Sequence, residues 1–227
     1  MPTNPIAITV TGHAERSFAP NRCVVHLNIA FDGTTRAEAA DASSKSAATL
    51  TQLIRSLDRT PARPVRRWSL DQIQHTRYRP YHPQGKKLPW NYRSTATGSV
   101  TFRDLGSVAT FVDQASAIDG VGVGRLEWKL TRKSHAEAVS GVRGLAVHDA
   151  LTKAEDYGRR LGCTRIEAVA LADPGMLNAG QRPDVGQPVV RALAASAAEQ
   201  VHEHEGLALK PERLRVTADV EARFEAY

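Results

Sequence analysis

The first residues alternate cleanly between apolar and polar. Ile6, Ile8, Val10, Gly12 and Ala14 share one face of an extended chain, and Ala7, Thr9, Thr11, His13 and Glu15 share the other. A period of two is the signature of a half-buried strand. Turn residues follow at Phe18-Ala19-Pro20-Asn21, and a second alternation puts Cys23, Val25, Leu27, Ile29 and Phe31 inward. Two such runs across a short turn predict an antiparallel hairpin.

The period then changes. Thr35-x-x-Glu38 reads as a capping box, and Ala40, Ser43, Ala47, Leu50, Ile54 and Leu57 recur at helical spacing until Pro61 forbids continuation. Two strand-like runs occupy residues 65–103. The first begins with Trp68 and Leu70 in phase and slips at Gln72-Ile73, which predicts a bulge or a twisted edge. The second is regular, with Tyr92, Ala96, Gly98, Val100 and Phe102 opposite Arg93, Thr95, Thr97, Ser99, Thr101 and Arg103. Pro80 and Pro83 keep the connection out of a central ladder, because proline donates no hydrogen bond.

Asp104 is placed to cap a second helix with Val108, Phe111, Val112 and Ala115 buried. A strand is expected over 123–131, with Leu126, Trp128 and Leu130 inward. Ser134-x-x-Glu137 reads as the cap of a long helix over 135–161, closed by Gly162, and an apolar strand follows over 165–172. Residues 173–210 form an Ala/Gly/Pro-rich excursion, too long for an ordinary connection, with an Ala-rich helix expected at 189–201. Residues 214–226 alternate once more. The order ββαββαβαβ, long loop, β predicts a single α+β domain over 1–227, with mostly antiparallel sheet covered on one face by helices.

Composition fits a folded domain, at 41% hydrophobic and 24% charged residues. No apolar run reaches the roughly 18 residues of a membrane span. Met1-Pro2-Thr3-Asn4 runs straight into the first strand without the basic and apolar regions of a secretory signal, so a cytoplasmic location is expected. Cys23 and Cys163, one on a strand and one past a helix end, are expected as free thiols.

Charge changes the picture more. Between Pro61 and Arg103 stand nine Lys or Arg residues and one acid, Asp71; this stretch is more positive than the whole chain at +6. Aromatic residues are interleaved with the cations. Arg66, Arg67, Trp68, His75, Arg77, Tyr78, Arg79, Tyr81, Lys86, Lys87, Trp90 and Arg93 are therefore the candidate partner-contact residues. Arg, Tyr and Trp anchor protein interfaces, whereas positive charge with aromatic faces also suits phosphates and bases. A solvated strand pair with aromatics on arginine stems is the plainest alternative.

Other candidate chemistry is weaker. His202 and His204 in the string His202-Glu203-His204-Glu205 would share a face of an extended segment, but no further ligand pair completes a structural metal site. His148 and Asp149 would lie on a helix about 100° apart, so they cannot form an acid–base pair; packing or capping of a neighbouring strand suits them better. Gly120-Val121-Gly122-Val123-Gly124 reads as a turn and not a nucleotide loop. No catalytic residue, cofactor or metal ligand is assigned.

Ile8-Thr9-Val10-Thr11-Gly12, the Pro20-Asn21 pair, Gln72-Ile73-Gln74, Arg103-Asp104-Leu105, the AVHDALTKA run at 146–154 and Leu161-Gly162 together resemble the SIMPL-domain family of bacterial oxidative-stress-defence and periplasmic immunogenic proteins. The resemblance implies an α+β fold and a non-enzymatic role linked to stress defence. It also implies self-association, since some similar bacterial proteins form ring-like or channel-like oligomers, and a mammalian relative is a signalling adaptor associated with a kinase. It carries over no catalytic residues. Many bacterial relatives are exported, and the missing export signal departs from them. The expected function is thus self-association and protein contact as a homo-oligomer, with polyanion or nucleic-acid binding through 65–103 as the alternative.

Overall fold

The computed structural model describes residues 4–177 and 209–227. The helix expected at 189–201 and the His202/His204 string lie outside the described residues. The strands are β1 (Ile6–Phe18), β2 (Arg22–Gly33), β3 (Val65–Leu70), β4 (Gln74–Tyr78), β5 (Asn91–Phe102), β6 (Val121–Lys129), β7 (Ile166–Ala172) and β8 (Leu214–Ala226). The helices are α1 (Arg36–Asp58), α2 (Val108–Ser116) and α3 (Arg132–Arg160). Two antiparallel sheets result, one of three strands in the order β1-β8-β7 and one of five in which β3 and β4 share one side of β5, followed by β2 and β6. The fold is α+β, as the alternation predicts.

The chain forms two compact units. The five-stranded unit holds β2 to β6 with α1 and α2. Its core joins Cys23, Val25, Leu27 and Ile29 of β2 to Ala96, Val100 and Phe102 of β5, beneath Leu50 and Ile54 of α1 and Phe111 and Ala115 of α2. These are the positions that the two periods mark as inward. Thr35 caps α1 by accepting a hydrogen bond from Glu38 N–H at 3.2 Å, and Glu38 reaches back to the Thr34 N–H at 2.9 Å. Asp104 caps a single 3-10 turn that leads into α2, accepting from Gly106 N–H and the Ser107 hydroxyl.

The other unit is built on close approach. In α3 the buried residues are Ala138, Val142, Ala146, Ala150, Ala154 and Gly158, a stripe of mostly small side chains at four-residue spacing. That stripe lets the helix lie against β1 at Gly12, where even a methyl group would stand 2.0 Å from the Ala146 carbonyl oxygen. The helix closes as its Gly162 predicts: φ is +82°, Gly162 N–H donates to Arg159 O, and Cys163 N–H donates to Gly158 O. Beyond β7, Asp173-Pro174-Gly175-Met176 makes a turn with Gly175 at φ +81°, closed by Met176 N–H on Asp173 O. Glu221 of β8 holds that turn by accepting from Gly175 and Leu177 N–H.

Three expectations are corrected. Residues 120–124, read as a turn, lie mostly in β6, where Val121, Gly122 and Val123 pair with Ile29, Asn28 and Leu27. β1 and β2 do not form a hairpin: β1 pairs in the three-stranded sheet, whereas β2 has β5 along one edge and β6 along the other. With both edges of β2 occupied, β1 has no place beside it. The long helix starts at Arg132, so Ser134 lies within its first turn and is not its N-cap.

Candidate functional site

The basic segment forms one side of the five-stranded sheet. β3 pairs with the second half of β5 and β4 with the first half, end to end along the same edge. The slip at Gln72-Ile73 is the gap between them, where the chain from Leu70 to Gln74 is one residue longer than the Thr95–Gly98 stretch it runs beside. Asp71 pins the gap, donating its N–H to Thr97 O at 2.8 Å and accepting from the Thr97 hydroxyl at 2.5 Å. Ile73 turns inward onto the core. The ladder ends at Tyr78 and resumes at Asn91, so residues 79–90, with Pro80 and Pro83, lie outside it.

Register decides what each predicted residue meets. Trp68 stands opposite Val100 and packs against the core. Arg66 falls in the irregularity between Val65 and Arg67, and Arg67 pairs across from Thr101 on the other face. His75 is opposite Ser94, Arg77 opposite Tyr92 and Thr76 opposite Arg93. Arg77 and Arg79 place their guanidinium groups 4.7 and 4.3 Å from the Trp90 ring centroid, so the indole is clasped by two cations. At the tip a turn is closed by Gly85 N–H on His82 O, and Tyr81, Lys86 and Lys87 are exposed.

Arg93 is held differently. Its Nε and Nη2 both donate to Asp32, its register partner on β2, at 2.8 Å each, and its guanidinium lies 5.0 Å from the Tyr78 ring centroid. The Arg93 hydrogen bond holds the Asp32 carboxyl below the usual carboxylate range, and Asp32 in turn raises the guanidinium. This cation is therefore engaged within the chain.

Beside these residues lies a cleft of about 470 Å³ lined by Arg36, His75, Thr76, Arg77, Tyr92, Arg93 and Ser94. Three of these, His75, Arg77 and Arg93, are among the residues singled out in the sequence. Arg36 is not, because nothing in local patterning brings the first residue of α1 to the β4–β5 pair; Thr76, Tyr92 and Ser94 lie within the same segment but carry no charge to mark them. Ser94 is 1% exposed, and its hydroxyl lies 2.8 Å from His75 Nδ1.

Among the described residues no group of three or more His, Cys, Asp or Glu is placed to hold a metal ion. Asp149 accepts a hydrogen bond from the His13 backbone N–H at 2.8 Å, while Lys153 donates to Thr11 O at 2.9 Å. The two side chains thus bond two backbone groups of β1; of the packing or strand-capping roles read for His148-Asp149, Asp149 carries the second. Lys153, 2.7 Å away, and the His13 N–H hold the Asp149 carboxyl below its usual range. Cys23 is fully buried and burial pushes its thiol up to about 11, whereas Cys163 is a half-buried free thiol. No helix among the described residues is long and apolar enough to cross a membrane.

The model of the SIMPL family, described as a protein of unknown function (DUF541), matches residues 8–224. No curated protein matches the chain.

Proposed function

The chain belongs to the SIMPL family, and we propose that it works without a catalytic centre, by assembling with copies of itself through the outer edge of β7. The supporting observation is the contrast between the two edges of the three-stranded sheet. On β1 two backbone groups are taken by α3 side chains, the His13 N–H by Asp149 and the Thr11 carbonyl by Lys153. On β7 no described strand pairs with the outer edge, and Val169 and Leu171 are 54% and 58% exposed. An apolar strand edge with unpaired backbone groups is a template for another strand.

The ends of β7 favour its own copy as the partner. Antiparallel pairing of two such strands centred on Val169, where β7 bulges, would set Arg165 of one copy, shared with its own Glu167, opposite Asp173 of the other, twice across a two-fold axis. Light scattering after size exclusion tests this across micromolar concentrations. The expected result is a dimer or larger oligomer that Val169→Lys converts to monomer with an unchanged far-UV spectrum. A strict monomer at every concentration refutes it.

A second reading is polyanion binding by the 65–103 arm. It is favoured because Arg66, Arg67, Arg77, Arg79, Lys86 and Lys87 take part in no ion pair among the described residues. It predicts retention on a polyanion matrix that falls steeply as salt rises. No retention at low ionic strength excludes it.

A further inference from the structure

The cleft between the start of α1 and the β4–β5 pair concentrates positive charge without any acid in its lining. Its cations are not equivalent. Arg93 is committed to Asp32, but Arg36 and Arg77 have no carboxylate partner among the described residues. Arg36 and Arg77 line one concavity, where two like charges repel and an anion between them relieves that repulsion.

The surrounding groups are held in place. Arg77 is held over the Trp90 ring, which restricts its side chain before any ligand arrives. The Ser94 hydroxyl is almost wholly buried against His75 Nδ1. His75, held by that bond, also lines the cleft, and Nε2 is the ring nitrogen left to meet a ligand. The backbone start of α1 is not part of this arrangement: Thr35 and Glu38 already cap it.

Size narrows the ligand class. A volume of about 470 Å³ exceeds what a lone oxyanion needs and falls in the range of small-molecule sites, roughly 300–1,000 Å³. Tyr92 supplies an aromatic surface for the remainder of such a molecule.

We propose that this cleft binds a phosphorylated small molecule, with Arg36 and Arg77 taking the phosphoryl oxygens, His75 adding a polar contact through Nε2, and the organic body resting on Tyr92. Guanidinium groups match phosphoryl oxygens in both charge and geometry. The site is independent of the β7 edge, so it stands or falls separately from self-association.

Calorimetric titration of the full chain with phenyl phosphate and with inorganic phosphate, at low and at moderate salt, tests the proposal. Phenyl phosphate is expected to bind saturably at one site per chain, and more tightly than inorganic phosphate. Arg36→Ala, on an exposed helix position, and Arg77→Ala are each expected to weaken it roughly tenfold or more. Arg77→Lys, which retains the charge, guards against loss of the hairpin itself and should fall between wild type and Arg77→Ala. Lys86→Ala/Lys87→Ala, at the tip, should bind as wild type. Absence of saturable binding overturns the proposal. So does an equal loss in the tip variant, which would mean diffuse attraction, and so does binding confined to a long single-stranded oligonucleotide.

Discussion

Replacing Gly12 by alanine tests how the three-stranded unit is held together. The added methyl would stand 2.0 Å from Ala146 O, 2.8 Å from Ala150 Cβ and 2.9 Å from Ala150 N, where ordinary contact begins at 3.4 Å. Two of the three obstacles are helix backbone, so no side chain can swing aside. Strand and helix must part by about 1.4 Å along the worst contact, and a gap of even 0.5–1 Å forfeits roughly a quarter to a half of the dispersion attraction across it. The loss extends along the buried stripe from Ala138 to Gly158. Overpacking costs about 1–3 kcal/mol, and rigid backbone on both sides places this substitution near 3 kcal/mol. The urea midpoint read by far-UV circular dichroism should fall by roughly 1–2 M. Tryptophan fluorescence is the wrong probe for this unit, because Trp68, Trp90 and Trp128 all lie in the other. Gly141→Ala and Gly144→Ala are the controls: both glycines are in α3 with no atom within 4 Å of an added methyl, so each should gain roughly 0.5–1 kcal/mol from helix propensity. A Gly12→Ala protein that unfolds at the wild-type midpoint would falsify the close approach of α3 to β1.

Three further outcomes follow from the same structure. An aromatic disulfide reagent should modify one thiol per chain rapidly in the folded protein, Cys163, and the second only in denaturant, because Cys23 is fully buried with its thiol raised to about 11; two fast thiols would contradict that burial. Asp149→Asn keeps an acceptor for the His13 N–H but loses the ion pair with Lys153, costing about 0.5 kcal/mol at neutral pH for so exposed a pair. The Asp149 carboxyl is depressed in the folded state, so its contribution is present above the unfolded carboxylate value and is lost as pH falls through the folded one. The gap between wild type and Asp149→Asn in denaturant titrations should therefore close below roughly pH 4, and a gap that widens there rejects the pairing. Thr35→Ala should cost about 1 kcal/mol of stability in the five-stranded unit, measured by fluorescence-detected unfolding, and no change would remove Thr35 as the cap of α1.

Much of this architecture is legible residue by residue. The alternation in β1, β2, β5 and β8 names the buried faces, because a strand's side chains alternate whatever it pairs with. The Thr35–Glu38 cap, the Gly162 closure and the slip at Gln72-Ile73 are local backbone events written in local residues. Asp149 as the cap of a neighbouring strand is also anticipated, although which strand it meets is not.

Local residue patterns specify the kind and order of the elements, their inward faces, and the concentration of charge in one hairpin. Partners come from the assembled fold. A period of two says which face is apolar but leaves both edges of a strand open, so the alternation suggests β2 as the partner of β1, whereas β8 claims β1 and β2 is filled by β5 and β6. The cleft has the same origin. Arg36 opens α1 and Arg77 lies on β4, some forty residues on in the chain, and they line one concavity because of how α1 and the β4–β5 pair are placed. Long-range pairing depends on shape and register summed over whole elements, and no short window of residues carries it.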